Sequence, residues 1–208
     1  MSPARSKAKK STGPRSTKPD EKLLKALSHP LRWRILQRMN EGVASPVMVA
    51  RELGVSVPLA SYHVKILVNL DCVELVRTEP RRGAIEHYYR ATRRAYLDER
   101  QWGALSDSQR QGITSVAINE MMLDALSALH AGSIDSRDER CVLSTPLILS
   151  ETGWIEVNTL LTQVLDRALE LQAESAGEIV SGEPDRRIRS TLTLLHYEAA
   201  PVKHDRSA

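Results

Sequence analysis

The chain has 208 residues, room for one large domain or two small ones, and its 41% apolar content must build a core from Leu, Val, Ile and Ala because aromatics make up 4% and Phe is absent. No run of about 18 apolar residues marks a membrane span, and Cys72 and Cys141 are too far apart for a CxxC metal or redox motif. The net charge of +3 conceals a division: residues 1–100 carry 20 Lys and Arg against 10 Asp and Glu, whereas residues 101–208 carry 9 against 16. A basic half predicts a polyanionic partner, and an acidic half does not.

Residues 1–19 hold six cations, no acid and three prolines. Such a segment cannot bury enough surface to fold alone, so a disordered basic arm is expected. It lacks the apolar stretch of a secretory signal, and free thiols in a reducing cytoplasm are the matching expectation. Asp20 is placed to cap a helix carrying Leu23, Leu24 and Leu27. His29-Pro30 ends it, because the residue before a proline leaves the α region. Pro30 then opens a second helix that stops at Gly42, with Leu31, Ile35 and either Leu36 or Met39 as its buried stripe. Ser45-Pro46 to Leu53 repeats this grammar and ends at Gly54. Ser56 is a natural cap for a fourth helix from Val57 to about Asn69.

Two strand-like runs follow, Cys72 to Thr78 and Ala84 to Tyr89, joined by a Glu79–Gly83 connection that carries Arg81 and Arg82. Their alternation has period two. A helix-turn-helix followed by a hairpin is the winged-helix order. Beyond Tyr96 the pattern predicts a helix over 106–130, an edge strand over Cys141–Leu149 containing Pro146, a helix from Thr152 to about Ala176 ended by Gly177, and a strand over Ile188–His196. The expected fold is α+β: a winged helix-turn-helix domain over 20–95, then a smaller α/β dimerisation or effector domain with long helices over 96–200, and a tail over 201–208.

The stretch "GVSVPLASYHVKILVNL" carries the chemistry. Ala60, Val64 and Leu67 share one helical face, which suits a core. Ser61, Tyr62 and Lys65 fall away from it, as a helix entering a major groove requires. Val57 and Pro58 sit at the leading end, where small apolar groups can touch thymine methyls. His63 lies beside Val64, so a packing role with a backbone hydrogen bond is expected in preference to a DNA contact. Among Arg32, Arg34 and Arg38, one is expected to reach a phosphate and the others to be surface charges.

"LSHPLRWRILQRMNEG", "VARELGVSVPLASYHVKIL" and "RRGAIEHYYRAT" together resemble the winged helix-turn-helix of ArsR-type bacterial transcription regulators, over about residues 20–94. The resemblance implies that Ser56, Pro58, Ser61, Tyr62 and Lys65 face DNA, and that Arg81 and Arg82 contact phosphates or reach the minor groove. Metal-sensing members of that family usually carry a "CVC"-like segment in the third helix or a His/Asp cluster on the dimer helix. Here the third helix reads "MVARELG" and no HxxH pair lies on the later helices. No metal and no cofactor is therefore expected.

In the acidic half, Trp154, Val157, Leu161, Val164, Ala168 and Leu171 are spaced 3, 4, 3, 4 and 3 residues apart. Such a heptad seam pairs helices of two subunits or packs on its own sheet. A homodimer would set two recognition helices about 34 Å apart for a palindromic site. Trp102, Trp154, Met121 and Met122 are candidates for an effector pocket, although such residues are more often core. No GxSxG, P-loop, HExxH or GxGxxG segment points to an enzyme. The leading expectation is a homodimeric repressor binding double-stranded DNA, with an unidentified small molecule as a further candidate partner. The alternative is a protein–protein interaction module that uses the winged helix as a docking surface.

Overall fold

The computed structural model describes residues 20–81, 83–97, 99–180 and 188–200; the expected basic arm and tail lie outside them, as does Arg82. It divides into two compact units, residues 1–138 and 139–208. The first contains α1 (Glu21–Leu27), α2 (Pro30–Glu41), α3 (Pro46–Leu53), α4 (Val57–Asn69), β1 (Val73–Arg81), β2 (Ala84–Ala91), α5 (Glu99–Gly103) and α6 (Asp107–His130). The second contains α7 (Glu151–Val180). The chain is thus mixed α+β, with seven helices and one antiparallel hairpin in the described residues.

Local chemistry explains the helix ends. The Asp20 carboxylate accepts hydrogen bonds from the Lys22 and Leu23 N–H groups at 3.1 and 3.2 Å, satisfying two donors that the first turn of α1 leaves open. His29 is extended and Pro30 fills the first turn of α2. Ser45 and Ser56 cap α3 and α4 through the Met48 and Leu59 N–H groups. Gly54 closes α3 in the left-handed conformation (φ 66°), so the chain turns within three residues into α4. Ser106 and Gln109 cap each other at the start of α6.

The core forms where the apolar stripes of α1 to α4 meet. Leu27, Ile35, Leu36, Met39, Val49, Val64 and Leu67 are its largest fully buried aliphatic side chains. Both Leu36 and Met39 belong to the α2 stripe; Trp33 joins them, and Leu31 is only half-buried. Cys72 and Val73 close the base of the hairpin, and Ala44 forms a one-residue bridge to Tyr89 with two 2.9 Å backbone hydrogen bonds. The α6 helix packs on α1 and α2 through Ile113, with Val116, Ala117 and Met121 beside it. For that reason the first compact unit runs on to Asp138, past the boundary expected at 95/96.

Three sequence expectations are corrected. The hairpin strands continue to Arg81 and resume at Ala84, which pair with each other, so the connection expected over Glu79–Gly83 is mostly ladder. A bulge between Leu75 and Arg77 leaves Val76 unpaired and resets the alternation. Cys141–Leu149 and Ile188–His196 form no strand. Each has strand-like composition but finds no backbone ladder, and β propensity expresses fit to a paired, half-buried surface more than a backbone preference. The second unit is therefore a helix whose described flanks carry no regular secondary structure, not an α/β domain. Finally, α7 runs through Gly177 to Val180; a glycine costs a helix about 1 kcal/mol relative to Ala, which slows a helix without ending it.

Candidate nucleic-acid interface

The α3–Gly54–α4 arrangement fixes which side of α4 looks outward. Ala60, His63, Val64 and Leu67 are buried against α2 and α3. Opposite them Pro58, Tyr62, Lys65 and Asn69, spaced 4, 3 and 4 residues apart, form an exposed ridge. Ser56 and Val57 sit exposed at its leading end, and Ser61 is half-buried on the flank that shares a cleft with β2. The Ser56 hydroxyl is engaged as the helix cap at 3.4 Å from the Leu59 nitrogen. Lys65 has no ion-pair partner among the described residues. Six of the residues singled out from the sequence thus share one surface: Ser56, Val57, Pro58, Ser61, Tyr62 and Lys65.

A cleft separates α4 from the hairpin, lined by Val47, Ser61, Val64, Lys65, Ile85 and His87 among others. The hairpin side of this surface is internally neutralised. Arg81 pairs with Glu86 at 3.2 Å and with Glu79 at 3.4 Å. The Arg77 guanidinium lies 4.1 Å over the Tyr88 ring and donates to Glu79 at 3.0 Å. Tyr88 Oη lies 3.1 Å from Glu79 and 3.2 Å from Glu86. Buried Ser45 donates its hydroxyl to Glu86 while accepting from Met48 N–H, which ties the cap of α3 to β2. Hydrogen bonds from Arg77 and then Tyr88 hold the Glu79 carboxyl below its ordinary range. The Ser45 hydroxyl leads the same effect on Glu86. Both acids are charged at neutral pH, so Arg81 is a partnered cation and not a free one.

His63 is 5% exposed and faces inward. Its ring lies 4.6 Å from that of His29, and neither Nδ1 has a hydrogen-bond partner. The expected packing role holds, whereas the expected backbone hydrogen bond is missing at Nδ1. Burial is the first cause holding both imidazoles below their usual titration range; for His63 the neighbouring His29 and Arg32 add to it. Arg32, Arg34 and Arg38 all have intramolecular partners: the Lys25 carbonyl at 3.1 Å, Glu120 at 3.7 Å, and Glu52. They fasten α2 to its neighbours.

Two members of the surface escaped the sequence reading. Asn69 follows Lys65 by four residues, a helical signal that was there to be used. Arg51 is exposed on α3 and shares a second cleft with Arg81; nothing in its sequence context distinguishes it from other surface cations.

The seam residues of α7 are unequal. Trp154, Val157, Leu161 and Ala168 are half-buried, and Val164 and Leu171 are exposed. Part of that cover is internal, since His196 lies 4.1 Å from the Trp154 ring and its Nδ1 is 3.3 Å from the Asn158 side-chain oxygen. The pocket candidates are divided between units: Trp102 and Met121 pack against the core of the first, Met122 is exposed there, and Trp154 belongs to the second. Burial pushes the Cys72 thiol up to about 11, and Cys141 is exposed. Among the described residues no three His, Cys, Asp or Glu side chains converge as a metal site would need, and no helix is long and apolar enough to cross a membrane. No family model and no curated protein matches the chain.

Proposed function

We propose that the protein is a sequence-specific regulator of transcription that binds double-stranded DNA through a winged helix-turn-helix of the ArsR type. In this reading α4 enters the major groove and the hairpin lies along the flanking backbone. The observation that carries it is the two-sidedness of α4: one face is locked into the helical core, and the other offers Lys65, Tyr62 and Ser61 next to the capped, electropositive helix start. A cytoplasmic homodimeric repressor is the form we assign to it, with the α7 seam as the pairing element.

Duplexes selected by the full-length protein from a random pool test this. They should bind more tightly than random duplex, with affinity falling steeply as salt rises. Lys65→Ala should cost the selected duplex roughly tenfold or more, on the scale of a lost base contact. Arg81→Ala should cost less, since Glu79 and Glu86 already neutralise it. Equal affinity for selected and random duplex, insensitive to salt, would sink the reading. The apolar exposure of Val57, Leu59 and Ile85 favours the second reading, a docking surface for a protein partner.

A further inference from the structure

The outward side of α4 has an unusual inventory for a reader of bases. From Val55 to Val68 the sequence contains no Arg, Asn, Gln, Asp or Glu, and Lys65 is its one permanent charge; the carboxamide of Asn69 stands on the ridge only at the far end of the helix. His63 is turned into the core. The bidentate partners for guanine (a guanidinium) and for adenine (a carboxamide) are thus missing from the first turns, where base contacts concentrate. What those turns expose is apolar: Val57 and Leu59 are each 42% exposed and Tyr62 is 61% exposed, with Pro58 between them. An exposed valine, proline and leucine in succession at a capped helix start is surface that water disfavours.

Resting on the DNA-binding reading above, we infer that α4 reads thymine 5-methyl groups as its principal base contact. The thymine methyl is the one apolar group that a base pair presents in the major groove. It alone matches Val57, Pro58, Leu59 and the Tyr62 ring. Lys65, seven residues beyond Pro58 on the same ridge, supplies a donor for an adjacent O6, N7 or O4 acceptor. Charge argues for this occupant over an apolar protein groove: the apolar tip is flanked by Lys65, which has no ion-pair partner among the described residues, and by the positive end of the helix.

The experiment separates this inference from the reading it rests on. Duplexes enriched from a random pool by the full-length protein are resynthesised with deoxyuridine in place of each thymidine in turn, which deletes one methyl and leaves every hydrogen-bonding group. Affinity should fall about fourfold at each contacted thymine, and about fifteenfold when two are replaced, as expected for burial of single methyl groups. Val57→Ala should shrink the thymine-to-uracil difference at one position while leaving the others in place, and that coupling excludes a general change in duplex shape. Enriched duplexes that bind equally well with uracil throughout would overturn the methyl readout and leave the regulator standing. Failure of any duplex to enrich over random DNA would overturn both, and the apolar tip would then belong to a protein partner.

Discussion

Residues 20–138 and residues 139–200 both contain capped or amphipathic helices and runs of aliphatic residues, yet they reach different physical states. In the first, the stripes of α1, α2, α3 and α4 converge, and α6 closes over α1 and α2. In the second, no described residue is buried; the 188–200 segment lies beside the start of the α7 stripe, through Trp154, Asn158 and His196. The difference is one of closure. An amphipathic helix gains its stability from what covers its apolar face more than from intrinsic propensity, so two similar patterns diverge when only one finds cover.

The sharpest way to break this comparison is truncation of matched leucines. Leu67 is fully enclosed between α4 and its neighbours. Leu67→Ala removes its transfer free energy and leaves a cavity, a loss of about 2–5 kcal/mol. Leu161→Ala in the half-buried seam of α7 should cost less, below about 2 kcal/mol, because the side chain is only partly enclosed and its loss leaves no sealed cavity. Urea unfolding followed by far-ultraviolet circular dichroism measures both. Comparable losses would mean that α7 is closed by something equal to a core.

A second, smaller effect reports the same closure electrostatically. Burial holds His63 and His29 below the ordinary imidazole range, and Arg32 opposes a further positive charge at both; Tyr62 packs edge-on against His63 with ring centroids 5.1 Å apart. The unfolded chain, titrating near pH 6.5, therefore binds protons before the native state does. Stability is complete above about pH 6.5 and falls as pH is lowered through the interval between the unfolded and native values. His63→Gln should flatten that fall without abolishing it, since His29 remains. Unfolding midpoints measured from about pH 7.5 down to about pH 5.5 decide the point. A wild-type stability that does not change with pH would show the imidazoles to be solvated.

The same contrast explains what could be read in advance. The helices of residues 20–69 were legible because each boundary rests on local chemistry: Asp20, Ser45 and Ser56 as caps, Pro30 and Pro46 in first turns, Gly54 at a left-handed stop. Of the six residues around α4 proposed to meet DNA, Ser61, Tyr62 and Lys65 followed from the period of the helix, Val57 and Pro58 from their place at its leading end, and Ser56 from the family resemblance. The partnering of Arg81 was not legible, because Glu86 becomes its neighbour only through the hairpin register, and Glu79, two residues back, shares its face only because β1 continues to Arg81. Nor could Arg34 be placed, since its partner Glu120 is brought to α2 by the packing of α6. Cys141–Leu149 and Ile188–His196 failed for a plainer reason. Alternation and β-branched content describe a strand that has a partner, and sequence period says nothing about whether one exists.

The smallest expected effect is the most discriminating for the second unit. Ile148 is 104% exposed and lies two residues after Pro146, which cannot donate to a ladder, in a segment where Leu143 and Val142 are exposed too. A side chain that buries nothing has no burial to lose. Ile148→Ser should therefore change the unfolding free energy by no more than about 0.5 kcal/mol, as is usual for surface sites, and the result should be the same in dilute and concentrated protein. A loss above about 1 kcal/mol that grows with protein concentration would carry a different meaning, because stability linked to association depends on protomer concentration by mass action. The 141–149 segment would then be a strand whose partner is a second chain. The contrast between the two units would become one between a core closed within a subunit and one closed between subunits.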